Sequence, residues 1–230
     1  MSFYQRLQAE TQQERNRLLS SPIIQDALRG EITLSQYVAF LTQAYHHVKH
    51  TVPLLMSCGG RLPEHYEWLR EAVAEYIEEE CGHQEWILND IAVCGGDKEE
   101  VRRSRPHLTT ELMVAYAYDT VMRVNPLGFF GMVHVLEGTS VTTATQAGEI
   151  IQKTLGLPNQ AFSYLFSHGS LDQDHICFFE DLMNKIERHE DQQAIIHASK
   201  VFYELYGAVF RALPRNHESE ALNQESHHAA

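Results

Sequence analysis

Apolar residues recur at helical spacing along nearly the whole chain, and no long stretch alternates apolar and polar residues as a strand does. The pattern therefore predicts an all-α protein, a bundle of seven to eight helices. The predicted helices cover residues 3–19, 23–28, 34–53, 63–93, 109–124, 142–155, 160–189 and 191–213. The helix over 109–124 is predicted to continue, after a kink, over 127–140.

Glycine, proline and polar residues separate these segments. Ser20-Ser21-Pro22 ends the first helix, because the residue before a proline is pushed out of the helical region. The charged stretch 97–106 reads as a loop in which Asp97 caps a short turn. We predict one helical domain over residues 1–213 and a polar, disordered tail over residues 214–230.

Charge and composition exclude several classes of function. The chain has 230 residues and a formal net charge of -13, so it offers no basic surface for nucleic acid or for an anionic membrane. It also lacks an apolar run long enough to span a membrane and a basic-then-apolar leader, which predicts a cytoplasmic protein. Its four cysteines form no CxxC pair, which argues against a zinc ribbon or an iron-sulfur cluster.

Three polar residues interrupt the apolar row of the predicted helix 160–189. At about 100° per residue, His168, Asp172 and His175 fall within about 60° of arc, so their side chains can converge on one point. The same row continues through Tyr164, Phe179, Leu182 and Ile186, and it should face the core. Buried imidazoles and carboxylates need partners, which indicates either a metal ion or a set of mutually hydrogen-bonded core residues.

Two other predicted helices place carboxylates where apolar residues are expected. Glu80 and His83 form a Glu-x-x-His pair, the arrangement that helical bundles use to hold di-iron or di-manganese centres. Glu137 follows Phe130 and Val133 on a third row. The argument for the pair depends on Glu80, rather than Glu79, being the residue that faces inward.

Together these residues predict a metal site that is built from three helices. Three carboxylates and three imidazoles suit iron or manganese better than zinc or copper held by thiolates. Two divalent ions would bring four positive charges against three carboxylates, which leaves open positions attractive to dioxygen or to an anionic group. A mononuclear site and a metal-free polar cavity remain the alternatives. The six candidate ligands are Glu80, His83, Glu137, His168, Asp172 and His175.

At these residues the chain resembles the heme-oxygenase-like superfamily, over roughly residues 3–213. The ligand pattern is similar to that of its di-metal oxidases, with Glu80-x-x-His83, then Glu137, then His168-x-x-x-Asp172-x-x-His175. The resemblance implies that the six residues bind two iron ions. Manganese is the alternative to iron. The resemblance also implies dioxygen as cosubstrate, an external electron donor and a small organic substrate, and a homodimer is the candidate assembly.

Other branches of the superfamily match less well. Thiaminase II relies on a nucleophilic cysteine in the middle of the fold, but this chain has none between Cys94 and Cys177. Heme oxygenases carry a proximal histidine in the first helix, whereas residues 1–45 here contain no histidine. A metal-free enzyme of the thiaminase or PqqC type, or a protein that only binds a small ligand, is the alternative function.

Several further residues lie near the predicted site. A solvated helix face explains at least two of His46, His47 and His50, and if one of them lines the site, His46 or His50 is favoured. His134 lies one turn before Glu137 and is expected to be a satisfied core or surface residue rather than one that orients Glu137. Cys81 is expected to be a packed thiol. The run Arg102-Arg103-Ser104-Arg105 is interpreted as a solvated loop. The alternative is that it binds a carboxylate of the substrate.

Overall fold

The chain folds as a bundle of α-helices, as its periodicity predicts. The computed structural model describes residues 1–214, except for the side chains of residues 140–142 and 168–175. Within these limits it contains eleven α-helices and no strand. The helices are α1 (Phe3–Leu19), α2 (Pro22–Arg29), α3 (Leu34–Val48), α4 (Thr51–Arg61), α5 (Glu67–Glu80), α6 (His83–Val93), α7 (Lys98–Arg103), α8 (Leu108–Asp119), α9 (Phe129–Leu155), α10 (Ser163–Asn184) and α11 (His189–Arg211).

The count exceeds the predicted seven to eight helices because one predicted helix is two and because two short helices were not predicted. The segment 63–93 breaks between α5 and α6, where Cys81 is extended and Gly82 has a φ of 98°. The left-handed region is open to glycine at no steric cost. Glu80 therefore ends one helix and His83 begins the next, so the two residues do not share one continuous helical row.

Two short helices, α4 beyond residue 53 and the whole of α7, lie in segments that were not predicted to be helical. In α4, Pro53 occupies the first turn, where the missing N–H has no helical partner to lose. The Gly59-Gly60 pair does not end this helix, and Gly59 packs against Val73 of α5. In α7, the Asp97 side chain accepts hydrogen bonds from the backbone N–H of Glu99 and Glu100, as its predicted capping role requires.

Helix α9 is continuous, although two helices were predicted over its length. Its middle is rich in glycine and β-branched residues, which weaken a helix. The hydroxyl of Thr139 donates to the carbonyl oxygen of Val135 at 2.6 Å, and that of Thr143 donates to Thr139 at 2.7 Å. These bonds to preceding turns satisfy the polar side chains without leaving the helical backbone.

Helix α9 is also the centre of the packing. It lies against α10, α11, α2 and α4, while α1 covers α11. A β-carbon added to Gly131 would lie 2.7 Å from the backbone nitrogen of Ser199, so α9 and α11 cross closely at this glycine. No described helix combines the length and the apolar content that crossing a membrane requires. The predicted tail beyond Pro214 lies outside the described residues.

Candidate metal centre

An apolar cavity of about 160 Å³ lies between α9 and the helices around it. One face of α9, from Phe129 to Ile151, forms its longest wall. At 1.5 Å per residue these positions span roughly 33 Å of helix. The opposite walls come from α2, α3, α4, α5, α10 and α11 and are mostly aliphatic or aromatic. The cavity is therefore an elongated apolar slot inside the bundle.

Two carboxylates interrupt this apolar lining. Glu80 at the end of α5 and Glu137 in the middle of α9 both line the cavity, as the sequence predicts for inward-facing acids. Glu79 is exposed, which agrees with Glu80 as the inward residue. The described lining contains no lysine or arginine. The charges on this part of the wall are thus negative.

Glu80 and His83 meet across the break between α5 and α6. The Nδ1 atom of His83 lies 3.1 Å from the Oε2 atom of Glu80, and both side chains are largely buried. The turn at Cys81 and Gly82 brings the pair together without a shared helix. Cys81 itself is exposed, so the expectation of a packed thiol is wrong.

Tyr76 stands beside the same carboxylates. Its side chain is 2% exposed and lines the cavity one turn before Glu80. Burial raises the pKa of its phenol, and the negative charges of Glu137, Glu79 and Glu80 raise it further. Tyr76 therefore keeps its proton at neutral pH. Tyr76 lies four positions before Glu80 on the same helical row, but the sequence gives no reason to single it out from a packing tyrosine.

The remaining three candidate ligands cannot be compared with these atoms. His168, Asp172 and His175 lie outside the residues whose side chains are described. The helix that carries them lines the cavity at Tyr164 and Leu165, before these residues. After them, Phe178 contacts the cavity residue Tyr76, with ring centroids 5.5 Å apart. Within the described side chains, no group of three or more histidine, cysteine, aspartate or glutamate residues has metal-binding spacing.

The histidines at the end of α3 and at the start of α4 differ from the expectation. His47 lines the cavity and packs edge-on against Tyr206, with ring centroids 5.7 Å apart. His46 points away toward Ser104, with 2.9 Å between Nε2 and Oγ, and His50 lies 3.1 Å from the hydroxyl of Tyr118. The preference for His46 or His50 was wrong, because the tertiary packing turns the face of His47 inward.

His134 is a satisfied core residue, as predicted. Its Nε2 atom lies 3.1 Å from the hydroxyl oxygen of Thr11. That hydroxyl donates its proton to the carbonyl oxygen of Leu7 at 2.7 Å, so His134 must be the donor to Thr11. Burial, followed by the charge of Arg15, lowers the pKa of His134 to about 4. His134 is therefore neutral at physiological pH.

One contact of a candidate ligand was not anticipated. The indole of Trp86 lies against the imidazole of His83, with ring centroids 4.1 Å apart and ring planes inclined by 31°. The two residues are one helical turn apart at the start of α6, a spacing that brings side chains together. The spacing was visible in the sequence, but the break at Gly82 that sets the position of His83 was not.

The family of the chain follows from comparison of its sequence. A family model described as iron-containing redox enzyme matches residues 38–207, which is most of the chain. The protein therefore belongs to this family of iron-containing redox enzymes. A search of curated proteins gives no match.

Solved structures define the fold more widely. A protein with a heme oxygenase-like fold from Shewanella denitrificans has a TM-score of 0.83 at 24% identity, over 97% of this chain and 95% of that one. A TenA homologue from Pseudomonas syringae has a TM-score of 0.77 at 12% identity, over 92% and 91%. The heme oxygenase of Leptospira interrogans has a TM-score of 0.74 at 16% identity, over 93% and 100%. The fold is that of the heme-oxygenase-like superfamily, as the sequence motifs suggested.

Proposed function

We propose that this protein is a non-heme iron enzyme that uses dioxygen to oxidise a small organic molecule at a two-iron centre. The observation that carries the proposal is that Glu80 and Glu137, from different helices, face one apolar cavity in a chain of an iron-containing redox family. Oxygen and nitrogen donors of this kind suit iron, with manganese as the alternative.

The described half of the ligand set fits such a centre. Glu80, His83 and Glu137 would hold metal from α5, α6 and α9, and His168, Asp172 and His175 are the proposed ligands from α10. The contact between Nδ1 of His83 and Glu80 fixes the imidazole plane, as partners of metal-bound histidines commonly do. Bound ferrous iron supplies electrons and open coordination positions for dioxygen.

The other cavity residues have roles that follow from their chemistry. The carboxylates of Glu80 and Glu137 would balance the charge of the metal ions in a wall that otherwise offers little polarity. The protonated hydroxyl of Tyr76 can donate a hydrogen bond, or hold a proton, beside these carboxylates. The apolar side chains of α2, α3 and α9 keep bulk water away from the reaction.

The shape of the cavity favours a substrate with an apolar body. The α9 wall is mostly apolar on both sides of Glu137, with Thr139 and Thr143 as its hydroxyl-bearing members, so a charged or strongly polar group of the substrate would lie near the carboxylates and the metal. The described lining contains no lysine or arginine to pair with a second anionic group. Arg102, which was considered as a carboxylate ligand, instead makes a bidentate salt bridge with Glu85.

Anaerobic reconstitution with ferrous iron tests the proposal directly. The purified protein should retain two ions per chain after gel filtration, and Glu80→Gln and Glu137→Gln should each lower this number. Glu79→Gln is the matched control, because it removes a neighbouring exposed carboxylate and should leave the iron content unchanged. Single-turnover exposure to dioxygen should then oxidise the bound iron in the wild-type protein.

Metal content separates this proposal from the metal-free alternative. Fewer than one ion per chain, with the same content in Glu80→Gln and Glu137→Gln, would rule out the metal centre. Such a result would favour a metal-free enzyme or a small-ligand-binding protein that shares the fold of the TenA homologue.

A further inference from the structure

Trp86 connects a proposed metal ligand with the protein surface. His83 is 4% exposed, whereas the indole of Trp86, one turn further along α6, is only partly buried. The two rings are in contact, with centroids 4.1 Å apart. The indole therefore forms a short aromatic path from solvent to the imidazole.

The surroundings of Trp86 hold this path in place. Its neighbour Glu85 makes two hydrogen bonds with Arg102, at 2.7 and 2.8 Å, which tie α7 to α6. The bond from Lys98 to Asn89, at 3.2 Å, joins the same two helices one turn later. Two planar hydrogen bonds between charged groups restrict the motion of the helix that carries both rings.

The contact could be simple packing, since an aromatic pair contributes about 0.5–1.5 kcal/mol beyond its buried area. Trp68, the other tryptophan of the chain, shows such a role, because it packs against Tyr66 and lies under the ammonium group of Lys185. Trp86 differs because its partner is a candidate ligand. An enzyme that consumes electrons also needs a route through which an external donor can deliver them.

We propose that Trp86 is the entry point for reducing electrons, and this inference rests on the iron centre proposed above. An external one-electron carrier would dock at the partly exposed Trp86, and the electron would pass through Trp86 and His83 to ferric iron held at the proposed centre. The carrier is oxidised by one electron and one ferric ion becomes ferrous. No bond forms or breaks at Trp86, and the indole ends the step unchanged. Two such transfers return a diferric centre to the diferrous state.

Fluorescence tests whether Trp86 lies beside the metal without relying on turnover. In Trp68→Phe, Trp86 is the remaining tryptophan, and its emission should be quenched in proportion to the iron bound under anaerobic conditions. In Trp86→Phe, the emission of Trp68 should change much less. Bound iron that leaves the emission of the Trp68→Phe protein unchanged would overturn the inference.

Reduction kinetics test the electron path itself. Ferric-loaded protein is mixed anaerobically with a reduced flavin, a soluble carrier, and loss of the ferric absorption is followed. Trp86→Leu should slow reduction about tenfold, the change that a barrier increase of about 1.4 kcal/mol produces. Trp86→Phe restores a ring and should recover most of the rate, whereas Trp68→Leu should match the wild type.

Metal content measured on the same samples distinguishes the two proposals. A protein that binds no iron contradicts the metal centre itself. A Trp86→Leu protein that binds iron normally and is reduced at the wild-type rate contradicts only the role of Trp86. If Trp86→Leu does not fold, Trp86→Met replaces it, because the longer unbranched side chain fills more of the space of the indole.

Discussion

The carboxylate of Asp90 in α6 holds the beginning of α10 at the backbone of Tyr164. Its Oδ2 atom accepts a hydrogen bond from the N–H of Tyr164 at 2.9 Å, and its Oδ1 atom accepts one from Ser163 at 3.1 Å. Phe162, at the N-cap position of α10, provides no side-chain cap. A residue that is distant in sequence and fully buried thus performs the capping.

Removing this cap should weaken both the fold and the metal centre. Asp90→Ala leaves the buried N–H of Tyr164 and the partly buried N–H of Ser163 without their acceptor, which should lower the free energy of unfolding by about 2 kcal/mol. Urea denaturation measures this loss, and Asp181→Ala, which removes an exposed carboxylate from α10, is the control. Because α10 carries three proposed ligands, iron affinity should fall as well. Equal stability of the two variants would show that the cap contributes little.

The turn between α5 and α6 should depend on glycine at position 82. A β-carbon at Gly82 would touch nothing within 4 Å, so the cost of Gly82→Ala comes from the φ of 98° alone. That cost is roughly 1–2 kcal/mol. Gly60→Ala is the control, because its added β-carbon also meets nothing and its φ is not positive. Thermal unfolding should show a lower midpoint for Gly82→Ala than for Gly60→Ala.

The close crossing of α9 and α11 should make Gly131 intolerant of a side chain. In Gly131→Ala the new methyl group would lie 2.7 Å from the nitrogen of Ser199, which should cost roughly 1–3 kcal/mol through displacement of the helices. Gly138→Ala, on the same helix, meets no described atom within 4 Å and should stabilise the protein by up to about 1 kcal/mol. Opposite shifts of the urea midpoint are expected, and two shifts of the same sign would contradict the crossing.

The buried histidine of α9 should make stability depend on pH. The pKa of His134 falls from its usual 6.5 to about 4 on folding, so the unfolded chain binds more protons between these values. The free energy of unfolding should be highest above pH 6.5 and should fall by roughly 3 kcal/mol as the pH decreases to about 4. Urea titrations at several pH values measure the slope. His134→Gln should reduce it, and an unchanged slope would exclude His134 as its source.

The apolar slot should bind neutral hydrophobic molecules. Nile red, an uncharged dye, should bind to the wild-type protein saturably with increased fluorescence. Ala144→Phe places a ring on the α9 wall and should weaken binding at least about tenfold, or about 1.4 kcal/mol. Ala115→Phe, on the exposed side of α8, is the control. Binding that is equally strong in both variants would place the dye outside the cavity.

Local patterns were enough for the fold class and for the inward orientation of two carboxylates, Glu80 and Glu137. Helical spacing predicted an all-α protein, and the rows of α5 and α9 predicted that Glu80 and Glu137 face inward. These predictions depend only on which residues lie three or four positions apart, so they can be made without knowing which distant segments come into contact. The family resemblance rested on the same residues, and the match to iron-containing redox enzymes agrees with it.

Tertiary structure decided the features that depend on contacts between distant segments. His47, rather than His46 or His50, faces the cavity because α3 packs against α11 at Tyr206. The cap on α10 comes from Asp90, more than 70 positions earlier in the chain. The continuity of α9 ran against local propensity, because packing outweighs differences of about 1 kcal/mol per residue. The turn at Gly82 agrees with the low helix propensity of glycine, but the apolar row continues across it and gave no sign of the break. The cavity itself has no local signal, since it is the space that several helices leave between them.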